Sequence, residues 1–421
     1  MPPHSGVSQR RGGASSYDFP LDSVSASSRR SASLALPLRP AIDRLQQNGI
    51  TKVAFSRFDD PAVIPLWFGE GDLPTPGFIC AAATEALDEG RTFYVHTRGH
   101  PALRSAIKAY LDRLYGIDVD PDRITVPGSA MLGVLIAAQI ALGEGDHGII
   151  VSPAWPNIDA VFRVTGCELS HVRQRLGNDR WRLDLGEVAA AVQANTKAIY
   201  VNSPCNPTGW MMPPEDQQQL LNLCRERGIL LIADEVYHRT VFDTDPAPSF
   251  LQWADDEDPL IVVNGFSKAW AMTGWRLGWV VAPASLAEKW AALSECYNTG
   301  STVFAQPGGI VALEQGEGFV RQLQAQYRRG RAIVDEVLGG HSLIRHSSPA
   351  GAYYAFPEIV GLKDSYAFAM DILAAKDVGV APGYTFGPDN ENHVRISFAQ
   401  SHDRLEEGLN RLVAFVESKF G

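Results

Sequence analysis

The chain has 421 residues, of which 45% are hydrophobic and 20% charged, and a formal net charge of -11. That length suits two domains, or one large domain with a smaller lobe. The acidic balance disfavours a nucleic-acid partner, which needs clustered positive charge, but a local arginine pocket could still take an anionic substrate.

Residues 1–36 are rich in Ser, Arg and Gly and poor in large apolar side chains, the composition of a disordered arm. Within them, Ser28-Arg29-Arg30 is followed by an apolar stretch too short for an export signal. From about residue 75 to 293, short apolar runs alternate with amphipathic stretches. Residues 147–151, 198–201, 229–233 and 260–263 read as buried strands, and 214–227 as a helix. The longest apolar run, 131–142, is shorter than the roughly 20 residues a membrane span needs, and its Gly133 and Gln139 suit a buried helix. This β–α alternation predicts a mostly parallel sheet covered on both faces. The pattern changes near Ala312. A charged helix over 319–338, strands over 352–356 and 393–398, and a helix over 404–418 predict a smaller α+β lobe. The expected division is therefore a large domain over 76–311 and a small one from 37–75 with 312–421.

The five cysteines, Cys80, Cys167, Cys205, Cys224 and Cys296, are odd in number and show no zinc-type or CxxC spacing. They read as reduced thiols of a cytoplasmic protein, with no metal site expected.

In a parallel sheet, ligands sit beyond the carboxyl ends of the strands, so the residues that follow the strands are the informative ones. The first strand of the series is followed by Ser152-Pro-Ala-Trp155-Pro-Asn157, the second by Asn202-Ser-Pro-Cys-Asn206-Pro207-Thr-Gly209. The third leads into Asp234-Glu-Val-Tyr237, and the fourth into Phe266-Ser267-Lys268. Arg276 follows eight residues after Lys268, between Gly274 and Gly278. A lysine amine becomes a nucleophile when burial and nearby cations lower its pKa. An arginine beside it can hold a phosphate with a planar fork. That pair is what a Schiff-base cofactor of the pyridoxal phosphate type requires. Upstream, Gly128-Ser129-Ala130 opens a helix whose first N–H groups favour a phosphate. Arg395 lies on a strand of the small lobe.

Together these motifs resemble the class I/II aminotransferases, the aspartate aminotransferase-like branch of fold type I pyridoxal phosphate enzymes, over about residues 64–418. Five separated motifs stand in the family's order. The resemblance implies a three-layer α/β/α large domain with a mostly parallel sheet plus a smaller α+β domain. It also implies pyridoxal 5'-phosphate as cofactor, amino acids and 2-oxo acids as substrates, and a homodimer with shared active sites. By the same resemblance, Lys268 matches the Schiff-base lysine and proton shuttle, and Asp234 the carboxylate that pairs with the cofactor's ring nitrogen. Tyr237 and Asn206 match the donors to its phenolic oxygen, and Trp155 the aromatic that stacks on its ring. Gly128, Ser129, Ala130, Ser267 and Arg276 match the phosphate cradle. Tyr94 matches a tyrosine that reaches the phosphate in the neighbouring subunit. Arg395 and Gly69 match the groups that receive the substrate α-carboxylate, with Trp155 and Asn206 beside them.

The chain departs from the family pattern at Gly71, where proline is frequent, and at Gly265, where a hydroxyl is frequent. Trp67 and Phe68 are bulky neighbours of Gly69 expected to narrow the site. His96 and His100 read as surface residues, and Asn206–Pro207 is a candidate cis bond. No second arginine for a distal carboxylate stands out. The function implied is transfer of an amino group between an L-amino acid and a 2-oxo acid by ping-pong chemistry. The alternative on the same scaffold is β-elimination from a sulfur-bearing amino acid. A cofactor-binding regulator is disfavoured, because the N-terminal extension of about 35 residues is too short for a winged-helix domain plus linker and shows no helical period.

Overall fold

The computed structural model describes residues 37–177 and 180–421; the expected N-terminal arm lies outside the described residues. Seven segments form the main sheet: β1 (Ile124–Gly128), β2 (His147–Ser152), β3 (Glu168–Arg173), β4 (Thr196–Asn202), β5 (Leu230–Asp234), β6 (Leu260–Gly265) and β7 (Gly278–Val281). Their spatial order is β1-β7-β6-β5-β4-β2-β3. Strands β3, β2, β4, β5 and β6 pair in parallel, and β7 is antiparallel to both β6 and β1. The strands β1 to β6 therefore all end at one edge, and β7 starts there.

Successive side chains on a strand point to opposite faces, so a strand buried on both faces is apolar throughout. Ile149, Val151, Ile199, Val201, Leu231 and Ala233 enter one core. Ile150, Tyr200, Ile232, Ile261 and Val263 enter the other. Helices α1 (Ala130–Ala141) and α2 (Asn157–Thr165) cover the second face through residues such as Val134, Ala137 and Phe162. Helix α3 (Pro214–Arg227) covers the first through Leu220, Leu221 and Cys224. Proline opens α3, where no amide hydrogen is needed, and Gly228 ends it at a left-handed φ of 63°. Each such buried aliphatic side chain contributes roughly 1.5–3 kcal/mol. Ile199→Ala, in a fully buried position, would cost about 2–5 kcal/mol.

The apolar-run criterion picks out β2, β4, β5 and β6. It passes over β1, an edge strand containing Pro127, and β3, the other edge, which is mostly polar. It also passes over β7, only four residues long.

Beyond the sheet come α4 (Glu317–Leu338) and α5 (His402–Phe420). Between them, β8 (Tyr354–Ala355), β9 (Ala381–Pro382) and β10 (Val394–Ser397) form an antiparallel sheet with β10 in the centre. The strand expected over 352–356 is shortened to β8, because Ala352 takes a φ of 57°, outside the extended range, and Pro357 follows. Ile64–Pro65 pairs in parallel with Val378–Gly379, and Ser397 N–H donates to Leu66 O at 2.9 Å. These bonds carry the Trp67-Phe68-Gly69 segment alongside β10. Residues 40–421 form one compact unit. All five cysteines are free. No described helix is long and apolar enough to cross a membrane, and the described residues hold no His/Cys/Asp/Glu cluster suited to a metal.

Candidate active site

The sheet register brings the strand-following residues together. Asn202 and Asp234 are paired positions at the ends of β4 and β5. Asn202 Nδ2 donates to Asp234 O at 2.9 Å, and its Oδ1 accepts from Asn206 N at 2.8 Å. One side chain thus ties the turn after β4 to the end of β5. The Ser152–Pro153, Ser203–Pro204 and Asn206–Pro207 bonds are cis. Gly128, Gly265 and Gly278 occupy paired positions where β1, β6 and β7 meet. Added Cβ atoms at Gly265 and Gly278 would lie 3.3 Å from Ala130 Cβ and 2.5 Å from Ala130 N. Their absence lets the first turn of α1 sit against the strand ends, and Gly128 reaches that turn with a φ of 130°. Ser129 Oγ caps the helix by accepting from Leu132 N at 3.2 Å.

A cavity of about 330 Å³ opens at this edge. Ala130, Trp155, Asn202, Asn206, Asp234, Tyr237, Gly265, Ser267, Lys268 and Arg276 line it from the sheet side; Phe68, Gly69, Tyr354 and Arg395 line it from across.

Lys268 Nζ donates to Gly69 O at 2.5 Å, with the Tyr237 and Tyr353 rings 5.7 and 5.9 Å away. Burial lowers its pKa to about 8; the Arg395 and Arg276 charges act in the same direction, and Glu70 and Asp234 oppose them. Burial raises the Asp234 carboxyl to about 6, against hydrogen bonds from Tyr200 and the Val236 amide and the charge of Lys268. Tyr237 OH is 2.7 Å from Tyr354 OH, and burial holds its pKa well above the ordinary tyrosine value. Arg395 is buried and donates through Nη1 to Asn206 Oδ1 at 2.9 Å and through Nη2 to Trp67 O. Its guanidinium carbon lies 4.4 Å from the Tyr354 ring centroid. Its buried Nε has no hydrogen-bond partner. Arg276, in contrast, is exposed, takes a left-handed φ of 52°, and donates to Thr273 O at 2.7 Å.

These groups make an amine that deprotonates near neutrality, a buried carboxylate and two guanidiniums converging on one cavity. The model of the family described as aminotransferase class I and II matches residues 63–412.

The chain belongs to the class I and II aminotransferases.

It is 33% identical over 368 residues to an aspartate aminotransferase of Pyrococcus horikoshii, covering 86% of this chain and 93% of that relative. Over 353 residues it is also 33% identical to the arginine–pyruvate transaminase AruH of Pseudomonas aeruginosa, covering 83% and 89%. A solved single mutant of the Thermus thermophilus aspartate aminotransferase superposes with a TM-score of 0.83 at 30% identity, covering 90% of this chain and 99% of that one. The protein is thus an enzyme, an aminotransferase, with the expected α/β architecture.

Not every expected residue of this aminotransferase reaches the cavity. Gly128 and Ser129 do not line it; Ala130 does, one step further along the helix start. Tyr94 is 89% exposed and stands apart from the cavity beside Phe93, which is 82% exposed. Phe68 lines the cavity, but Trp67 does not: its side chain is buried in the core, and its carbonyl accepts from Arg395. His100 caps the helix Pro101–Tyr115, and His96 Nδ1 accepts from Arg98 N at 3.1 Å. Asn202, Val236 and Tyr354 are lining residues that the sequence reading did not single out. Asn202 stood at the head of a motif already noted. Tyr354 belongs to a short strand whose direction only the tertiary structure supplies.

Proposed function

We propose that this aminotransferase uses pyridoxal 5'-phosphate held in the 330 Å³ cavity, with Lys268 as its covalent anchor and proton carrier. The observation that carries the reading is the convergence of Lys268, Asp234 and Arg395 on one cavity. The donor set fits the cofactor: a lowered lysine pKa for the carbonyl, a buried carboxylate for the ring nitrogen, and Arg276 with the α1 start for the phosphate. When bound, the cofactor supplies an electron sink for the pair left at the substrate's Cα.

The chain's own groups do the rest. Arg395 receives the α-carboxylate through its planar fork and so fixes the orientation of the Cα–H bond. Lys268 Nζ, neutral once it has released its proton, would take the Cα proton and hold it at the cavity wall. Asp234 would pair with the ring nitrogen and keep it protonated, Tyr237 and Asn206 would donate to the ring oxygen, and Trp155 would pack against the ring. Ser267, next to Lys268, adds a hydroxyl to the phosphate side, and Gly69 offers backbone near the substrate carboxylate. The rest of the wall includes Ile50, Phe68, Met131 and Pro156, with Asn48 and Asn157 as neutral polar groups. This wall favours a neutral substrate side chain within one chain.

The working form is a homodimer in the cytoplasm. Tyr94, too exposed to serve its own site, reaches the partner's phosphate. Residues 37–75 with 312–421 act as a lobe that closes on 76–311 to exclude water.

The test is an absorbance spectrum of the cofactor-loaded enzyme with single L-amino acids and no acceptor. Loss of the long-wavelength cofactor band, with 2-oxo acid formed in stoichiometric amount, is expected for one or a few neutral amino acids. Steady release of pyruvate and ammonia would instead support β-elimination. A strong preference for aspartate would place a second cation at the mouth of the site.

A further inference from the structure

Tyr200 is fully buried in β4, and its hydroxyl donates to Asp234 Oδ2 at 2.8 Å. The pleat explains the contact. Tyr200 pairs with Ile232, and Asn202 with Asp234 on the neighbouring parallel strand. Residues two apart share a face, so Tyr200 lies on the same face as Asp234, beneath it and away from the cavity. Its surroundings are aliphatic: Val134, Ala138, Ile150, Ile232 and Ile261 belong to the same core. A phenol there has every reason to be a phenylalanine unless its hydroxyl has a task. The other carboxylate oxygen, Oδ1, accepts from Val236 N at 3.2 Å. Asp234 is therefore gripped from two sides by donors, only one of which is a side chain.

We propose that Tyr200 is a positioning residue that acts through Asp234, fixing the carboxylate's orientation and favouring its ionised form so that it can pair with the ring nitrogen of the cofactor. This rests on the reading of the site given above. A donated hydrogen bond stabilises the carboxylate relative to the acid, which opposes the burial that raises its pKa. The other titratable groups that feel Asp234 are Lys268, Tyr237, Glu235 and Cys205, and none of them changes in the variant tested.

Tyr200→Phe keeps the ring and removes the hydroxyl. The readouts are the dissociation constant of pyridoxal 5'-phosphate from the apo-protein, followed by tryptophan fluorescence, and the pH titration of the Asp234 carboxyl by carbon NMR in the same apo-protein. The expected result is affinity weakened by about tenfold and an Asp234 midpoint moved upward. In an Asp234→Asn background the same Tyr200→Phe change should leave the affinity unaltered, because its route of action has gone. Equal weakening in both backgrounds, or unchanged affinity and midpoint in the single variant, would overturn the proposal and leave Tyr200 as packing alone. If Tyr200→Phe does not fold, Tyr200→Met tests the same loss of the donor with the space refilled, and the same outcomes decide. A wild-type apo-protein that does not bind pyridoxal 5'-phosphate would sink the cofactor reading itself, a result distinct from failure of this inference.

Discussion

The two walls of the cavity are built differently. On the sheet side, Asp234, Ser267 and Lys268 belong to or closely follow parallel strands, and their placement is dictated by the strand ends. On the opposite side, Gly69 lies more than 280 residues in sequence from Tyr354 and Arg395, and the segments are joined by short pairings such as Ser397 N–H to Leu66 O. In the proposed function, the first wall holds groups whose protonation matters and the second holds groups whose direction matters. Substitutions on the two walls should therefore fail in different ways.

Lys268→Ala removes the proposed proton carrier and should show the largest effect, a fall in turnover of about 10⁴-fold with the fold intact. Stopped-flow assay of the amino-acid half-reaction checks it; residual turnover within tenfold of wild type would break the assignment of chemistry to the sheet wall. Arg395→Lys keeps the charge but loses the fork. It should lower kcat/KM about 10²-fold, mainly through KM, while cofactor affinity stays near wild type. Loss of cofactor affinity instead would mean that the second wall holds the cofactor and not the substrate.

The same contrast sets what the sequence discloses. Buried strands read as apolar runs, and the chemistry comes just after them, so Lys268, Asp234, Tyr237, Asn206 and Trp155 are visible with their order. Arg395 is visible only as part of a family pattern, because its strand is four residues long and its neighbours Gly69 and Trp67 are distant in sequence. Tyr354 is harder still, since nothing local shows which of two adjacent tyrosines faces the cavity. Tyr200 is hidden for the opposite reason: inside an apolar run, its hydroxyl carries no periodic signal. Gly128 and Ser129 show a further limit. Sequence locates a helix start to within a residue, but only packing shows that Ala130 is the residue at the wall and that the Ser129 hydroxyl is engaged in capping.

The protonation wall also sharpens the comparison through pH. With Lys268 lowered to about 8, its amine is roughly one-tenth neutral at pH 7 and nine-tenths neutral at pH 9. The rate at which apo-protein captures pyridoxal 5'-phosphate should rise by about tenfold across that span, with a midpoint near 8. A midpoint near the ordinary lysine value of about 10.4 would show that the wall does not perturb its amine.

The smallest effect concerns stability. Burial raises the Asp234 carboxyl to about 6 in the folded protein. Below the ordinary carboxylate value it is protonated whether the chain is folded or not. As pH rises toward about 6, the unfolded chain ionises first, the folded one holds the extra proton, and stability is lost. Asp234→Asn lacks this term, so at pH 7 the apo variant should be more stable than wild-type apo-protein by about 1–3 kcal/mol, while at pH 4 the difference should shrink. Urea unfolding at the two pH values measures it. Adding pyridoxal 5'-phosphate should reverse the order, because the wild-type carboxylate then gains a cationic partner that asparagine cannot match. A buried acid that destabilises the empty protein and stabilises the loaded one is the thermodynamic mark of a group kept for its ligand. Equal stabilities with and without cofactor would assign Asp234 to the strand end alone.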